Sequence, residues 1–212
     1  MRQEILDHIR IDRCPICDLV KIRMDELFWW FEKESYHDAS ALNLIYSDPY
    51  ICPSHRARLL KMGSLLSTTF EFMLTRDLET FEHLKALKPL AFKRNTAKLI
   101  KSRCRFCIQQ EEIEARLVNE FVMLIKQDSE ARDLFEKKGY LCRKHLLMSL
   151  SVAGKKDGEI FLRKGAEIAE KLLAMLDEFF KREDYRFQHL SRGVEQRAWL
   201  DALRFYSGDV EG

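Results

Sequence analysis

The sequence predicts an all-α protein built from two fused repeats, and three observations carry that prediction. Apolar residues recur at helical intervals over most of the 212 residues, period-two alternation bounded by turn residues is not sustained anywhere, and one spacing occurs twice. That spacing is Cys-x2-Cys, thirty-four residues, then Cys-x2-His. The first copy is Cys14, Cys17, Cys52 and His55; the second is Cys104, Cys107, Cys142 and His145, each displaced by 90 positions. Together they use all six cysteines.

Sliding residues 13–60 onto 103–150 without a gap gives further matches, among them Leu27 with Leu117, Phe31 with Phe121, Asp38 with Asp128, Ala41 with Ala131 and Tyr50 with Tyr140. An internal duplication accounts for these. It divides the chain into a first repeat over 1–90, a second over 91–181 and a tail over 182–212 with a short helix packing back on the core.

The elements follow in order. After the first knuckle, Val20, Met24, Leu27, Phe28 and Phe31 form a stripe of period near 3.6; after the second, Ile113, Leu117, Phe121, Leu124 and Ile125 do the same. Each knuckle therefore opens a helix, where free amides and the positive dipole end favour thiolates. A short helix capped by Asp38 or Asp128 comes next, then a turn carrying Pro49 in one copy and Gly139 in the other. The Cys-x2-His pair belongs on the first turn of another helix, since residues three apart share a face. Phe70, Met73, Leu74, Leu78, Phe81 and Leu84 mark a long helix from about 65 to 88, ended by Pro89. Phe161, Ile168, Leu172, Met175, Leu176 and Phe179 mark its counterpart, with Asp157 as its cap. In the tail, Val194, Trp199, Leu200, Leu203 and Phe205 form a short amphipathic segment.

Three thiolates and an imidazole at knuckle spacing supply the soft donors of a tetrahedral metal, and two zinc ions are expected; an iron-sulfur cluster is the alternative. Duplication favours sequential pairing, each copy closing its own site. A cross-braced arrangement, with one site of four cysteines and one of two cysteines and two histidines, also satisfies the spacing. Four filled positions leave a metal no place for water or substrate. The other histidines, His8, His37, His83 and His189, have no fixed spacing to a carboxylate or nucleophile, and no phosphate-cradling glycine loop occurs, so an enzyme is not the favoured reading. The favoured function is an interaction module with structural zinc and a protein partner. A redox-responsive zinc-thiolate protein is a second reading.

The formal charge is +2, and six thiolates with two divalent ions bring the metal-bound protein to neutrality, so there is no global attraction for nucleic acid. Locally, Lys85, Lys88, Lys93, Arg94, Lys98, Lys101, Arg103 and Arg105 form a stretch without an acidic residue that offers contacts to phosphates; a solvated connector is the plainer account. Phe28, Trp29, Trp30 and Phe31 cannot all share one helix stripe, so Trp29 or Trp30 is expected to bury between repeats or against a partner, self-association included. The first residues, Met-Arg-Gln-Glu-Ile-Leu-Asp-His, place acidic groups where an export signal needs an apolar run. No stretch has the apolar length of a membrane span, so a cytoplasmic protein with reduced cysteines and no membrane contact is expected.

The pattern Cys-Pro-Ile-Cys, helix, Cys-x2-His, repeated as Cys-Arg-Phe-Cys and Tyr-Leu-Cys-Arg-Lys-His, resembles a prokaryotic family known only as a domain of unknown function. The tail carries the rest of the likeness: Asp184-Tyr185-Arg186-Phe187, then Glu195, Trp199 and the closing Phe205-Tyr206-Ser207-Gly208. Tyr50-Ile51 after Pro49 departs from the glycine-led turn that the second copy keeps at Gly139. The resemblance implies a metal-binding, cytoplasmic, helical protein with no assigned reaction.

Overall fold

Among the described residues three helices begin with proline as their first residue, where the missing N–H costs nothing and the fixed φ suits the turn: Pro15, Pro53 and Pro89. The computed structural model describes residues 1–11, 13–34, 50–101, 103–183 and 193–208. Within them the elements are α1 (Arg2–Ile9), α2 (Pro15–Glu34), α3 (Pro53–Leu59), a 3-10 segment (Leu60–Leu66), α4 (Ser67–Lys85), α5 (Pro89–Ile100), α6 (Arg105–Gln127), α7 (Ser129–Lys138), α8 (Arg143–Asp157), α9 (Glu159–Glu183), a second 3-10 segment (Val194–Arg197) and α10 (Ala198–Ser207). No strand occurs among the described residues, and the fold is all-α. The expected helix around Asp38, the turn at Pro49, His37, His189 and the Asp184–Phe187 stretch lie outside them.

Contacts divide the chain into two compact units. One is Met1–Lys21 with Glu114–Gly212; the other is Ile22–Ile113. The unit boundaries fall inside α2 and α6, the two helices that the knuckles open.

The first unit is built on three aromatic rings, each at most 1% exposed. Phe121 meets Phe135 edge-on at 5.4 Å, and Phe161 lies 5.6 Å from Phe135. Leu117, Phe121 and Ile125 of the expected stripe are buried, with Ile5, Leu6 and Ile9 of α1 also in this core. Asp128 caps α7 as its spacing predicts, accepting from the Ala131 N–H at 3.1 Å, and Arg2 reaches the same carboxylate at 2.6 Å. Asp157 does not cap α9. It ends α8 and pairs with Lys126 at 2.6 Å, because Gly158 intervenes before α9 starts. In the tail, the buried Glu195 accepts from the Gly193 N–H at 2.6 Å and faces Arg182 at 3.5 Å, while Ala198 and Phe205 bury on the inner side of α10.

The second unit centres on Phe28, Phe31 and Phe106. Phe28 stacks on Phe106 at 4.6 Å, and Phe31 meets it edge-on at 5.5 Å. The aromatic run therefore sorts at helical spacing, with Phe28 and Phe31 inside. Of the two tryptophans, Trp30 is half-buried and Trp29 is 64% exposed, projecting 100° from Phe28 on the helix. The long stripe of α4 also differs from expectation: Met73 and Leu84 are buried, but Leu74, Leu78 and Phe81 are exposed. Pro89 does more than end this helix, because it opens α5, which carries Lys93, Arg94 and Lys98 of the basic stretch and has no buried residue. Both copies then share a feature beyond the gapless match. Gly63 (φ 59°) and Gly154 (φ 71°) break the Cys-x2-His helix just before the long helix that follows.

Candidate metal centres

Every expected ligand pair occupies the same local structure, the residue before a helix and the third residue inside it. Cys14, Cys52, Cys104 and Cys142 each accept, through their carbonyl oxygens, the N–H four residues on, at Asp18, Arg56, Ile108 and Leu146. Cys17, His55, Cys107 and His145 lie one step short of a full turn later, so each pair points off one helix N-terminus. Four helix starts thus present eight donors, and the dipole end of each favours negative sulfur.

The structure joins these starts in pairs, but not within a copy. Cys14 and Cys17 at the start of α2 meet Cys142 and His145 at the start of α8, in the first unit; Cys104 and Cys107 at the start of α6 meet Cys52 and His55 at the start of α3, in the second. This corrects the sequential pairing favoured by the duplication, and it is not the four-cysteine cross-brace either. The knuckle of each copy takes the Cys-x2-His of the other.

Within each group all four donor atoms lie within 4.8 Å of one another. In the first, His145 Nδ1 is 3.3 Å from Cys14 Sγ, 3.3 Å from Cys17 Sγ and 3.2 Å from Cys142 Sγ, and Cys17 and Cys142 are 3.8 Å apart. In the second, His55 Nδ1 is 3.2 Å from Cys52, 3.5 Å from Cys104 and 3.4 Å from Cys107, and Cys52 and Cys107 are 3.6 Å apart. A tetrahedral zinc with its usual bond lengths needs edges of about 3.8 Å between sulfurs and about 3.5 Å between sulfur and nitrogen. Both donor sets fit that ion.

The surroundings of the two groups differ. In the first, Nδ1 faces the sulfurs, so Nε2 carries the proton given to Glu114 Oε1 at 2.8 Å; Lys144 holds the same oxygen at 2.5 Å. Burial works against charge on Glu114, but His145 and Lys144 bring its carboxyl below the ordinary value. Burial likewise opposes an imidazolium at His145, yet Cys142, Cys17 and Glu114 outweigh it and push the imidazole up to about 11. Cys142 is held well below the ordinary thiol range by Cys14 and Cys17, while burial pushes Cys14 up. A thiolate at Cys142 is thus stabilised beside the imidazole, and a metal ion could take the place of the imidazole proton.

In the second group Gln110, a neutral amide, hydrogen-bonds His55, and burial with the nearby Arg58 lowers the imidazole. Against burial, the His55 backbone N–H and the Cys107 and Cys104 thiols lower Cys52, and burial with Cys52 pushes Cys107 up to about 12. Phe28 and Phe106 flank the His55 ring at 5.7 Å each. Cys52 and Cys107 are only half-buried, whereas the first group leaves only Cys17 half-exposed.

Two contributors escape the ligand spacing. Glu114 is one, although it falls in phase with the buried Leu117, Val118 and Phe121, and an acid on an apolar stripe marks a paired carboxylate. The other is Gly208, which ends α10 at φ 79°; a Cβ there would sit 3.0 Å from Cys17 Sγ and 3.8 Å from Cys142 Sγ. The closing glycine of the tail signature thus lies against the sulfurs. His8 lies 3.4 Å from Asp18, a contact the sequence did not suggest, and His83 is exposed.

No family model matches the chain, and no solved structure matches it. A curated relative from Caldicellulosiruptor sp. (strain Rt8B.4), described as an uncharacterized 23.9 kDa protein in the xynA 3′ region, is 26% identical over 209 residues, which cover 96% of this chain and 99% of that protein. No helix among the described residues is long and apolar enough to cross a membrane.

Proposed function

We propose that the protein binds two zinc ions as structural braces and serves as a non-catalytic interaction module. The closure of both donor sets carries this reading. Three sulfurs and one nitrogen saturate a tetrahedral ion, so each ion would join two helix starts and leave no position for substrate. The 4.8 Å spread of the donors suits a single ion better than a polynuclear cluster, which needs its ligands further apart. Cys14, Cys17, Cys142 and His145 would hold one ion, and Cys52, His55, Cys104 and Cys107 the other.

Support for an interaction role comes from the α4–α5 hairpin, where Leu78 is 66%, Leu90 87% and Ile100 84% exposed. A protein partner is the occupant this apolar surface suits best. Nucleic acid is the second reading, supported by Lys93, Arg94 and Lys98, all exposed on α5.

The test is elemental analysis and an absorption spectrum on protein purified without oxygen or added metal, followed by melting before and after chelation. Zinc near two per chain, no visible absorption and loss of cooperative melting on removal are expected, since structural zinc contributes about 10 kcal/mol or more to small folds. Iron with sulfide and a broad visible band would replace this reading with a redox one.

A further inference from the structure

The first unit contains a cleft of about 610 Å3, far from neutral in its lining. Six cations face it: Arg10, Lys137, Lys138, Lys164, Lys171 and Arg204, against two carboxylates, Glu167 and Asp201. Three of the cations are already partnered. Arg10 pairs with Asp7 at 2.8 Å, Arg204 lies 3.7 Å from Asp201, and Lys164 donates to Glu167 at 2.9 Å and to the Glu136 carbonyl at 2.7 Å. Lys137, Lys138 and Lys171 have no carboxylate partner among the described residues. Lys164 is 4% exposed, and its ammonium keeps one N–H beyond the two it spends. Lys137, Lys138 and Lys171 are exposed, and with Lys164 they leave the cleft a surplus of positive charge that attracts an anion.

Apolar side chains complete the lining, on the same helix that carries Lys164 and Lys171. Ile168, Leu172 and Met175 follow one another at helical spacing on α9, and Val194 adds a largely exposed side chain. Size, charge and this mixed lining match a ligand pocket rather than a solvated groove.

We propose that this cleft binds a small organic polyanion, phosphate esters being the chemical class with enough charge, whose phosphates meet Lys137, Lys138, Lys164 and Lys171 and whose ring or chain lies on Ile168, Leu172 and Met175. Lysines act here as point charges on phosphate, and the apolar wall selects an organic body over inorganic anion. No residue of the basic helix α5 lines the cleft, and the proposal does not depend on the interaction reading.

The experiment is equilibrium binding of adenosine triphosphate and of inorganic triphosphate to the metal-loaded full chain at low salt, with retained metal measured in the same samples. The nucleotide should bind at least about tenfold tighter than inorganic triphosphate, because only it covers the apolar wall. Lys137→Glu with Lys171→Glu, both exposed positions, should weaken nucleotide binding about 100-fold, and Lys33→Glu with Lys155→Glu, exposed positions outside the cleft lining, should leave it unchanged. Absence of nucleotide binding, equal affinity for both anions, or equal losses from the two pairs of variants would overturn the proposal.

Discussion

Cys14 and His145 are 131 residues apart in sequence, yet Cys14 Sγ lies 3.3 Å from His145 Nδ1. A site closed over that distance cannot form from one copy of the repeat. Both copies are needed for either donor set, so loss of one ligand pair from one copy damages a site that the other copy shares. A metal held there would be a long-range constraint on the chain, closing a loop of over a hundred residues between Cys17 and Cys142.

Glu114 orients His145, and Glu114→Gln should weaken metal affinity in the first group about tenfold at pH 7, in line with other hydrogen-bond partners of metal-bound histidines. Competition with a chromophoric chelator measures it. The carboxyl is lowered from the ordinary 4.5, so its contribution is fully present above that value and is lost as pH falls through the lowered one. The gap between wild type and variant should accordingly narrow below about pH 4.5.

Gly208→Ala should destabilise the first unit by about 1–3 kcal/mol. Its backbone lies where only glycine is at ease, and the added methyl presses on Cys17 Sγ. A lowered denaturant midpoint with reduced metal retention is the expected result, and unchanged values would mean that the tail does not close over the sulfurs.

Phe106→Ala should cost about 3–5 kcal/mol, because the ring is 1% exposed and packs between Phe28 and Phe31. Urea unfolding reads the loss. It should be larger than that of Trp29→Ala, which removes an exposed ring and is expected to stay within about 0.5 kcal/mol of wild type.

The two groups should also surrender metal at different rates. Cys52 and Cys107 are half-buried and His55 is backed by a neutral amide, whereas the other group leaves only Cys17 half-buried and backs His145 with Glu114. With Cys142→Ser leaving only the second group intact and Cys104→Ser leaving only the first, a chelator should strip the Cys142→Ser protein several-fold faster. Equal half-times would contradict the asymmetry.

Much of this was legible in the sequence, and the exceptions have definite causes. Stripe residues such as Phe31, Leu117 and Phe121 are buried as their period requires, and Asp128 caps its helix as the local chemistry dictates. The ligand pairs open helices as their three-residue spacing implies. Pairing was not legible, because identical ligand sets give no local signal of which pair meets which. Duplication favours sequential sites only where one copy binds metal alone, whereas the observed pairing requires two copies. The exposure of Leu74, Leu78 and Phe81 was equally hidden, since a helical stripe announces an apolar face and not what covers it.

The pairing itself is decided by counting metal in two double variants. Cys14→Ser with Cys142→Ser removes two ligands from one group and should leave about one ion per chain, while Cys14→Ser with Cys52→Ser damages both groups and should leave almost none. The reverse outcome, almost no metal in the first variant and about one ion in the second, would contradict the exchange of ligands between copies and restore sequential sites.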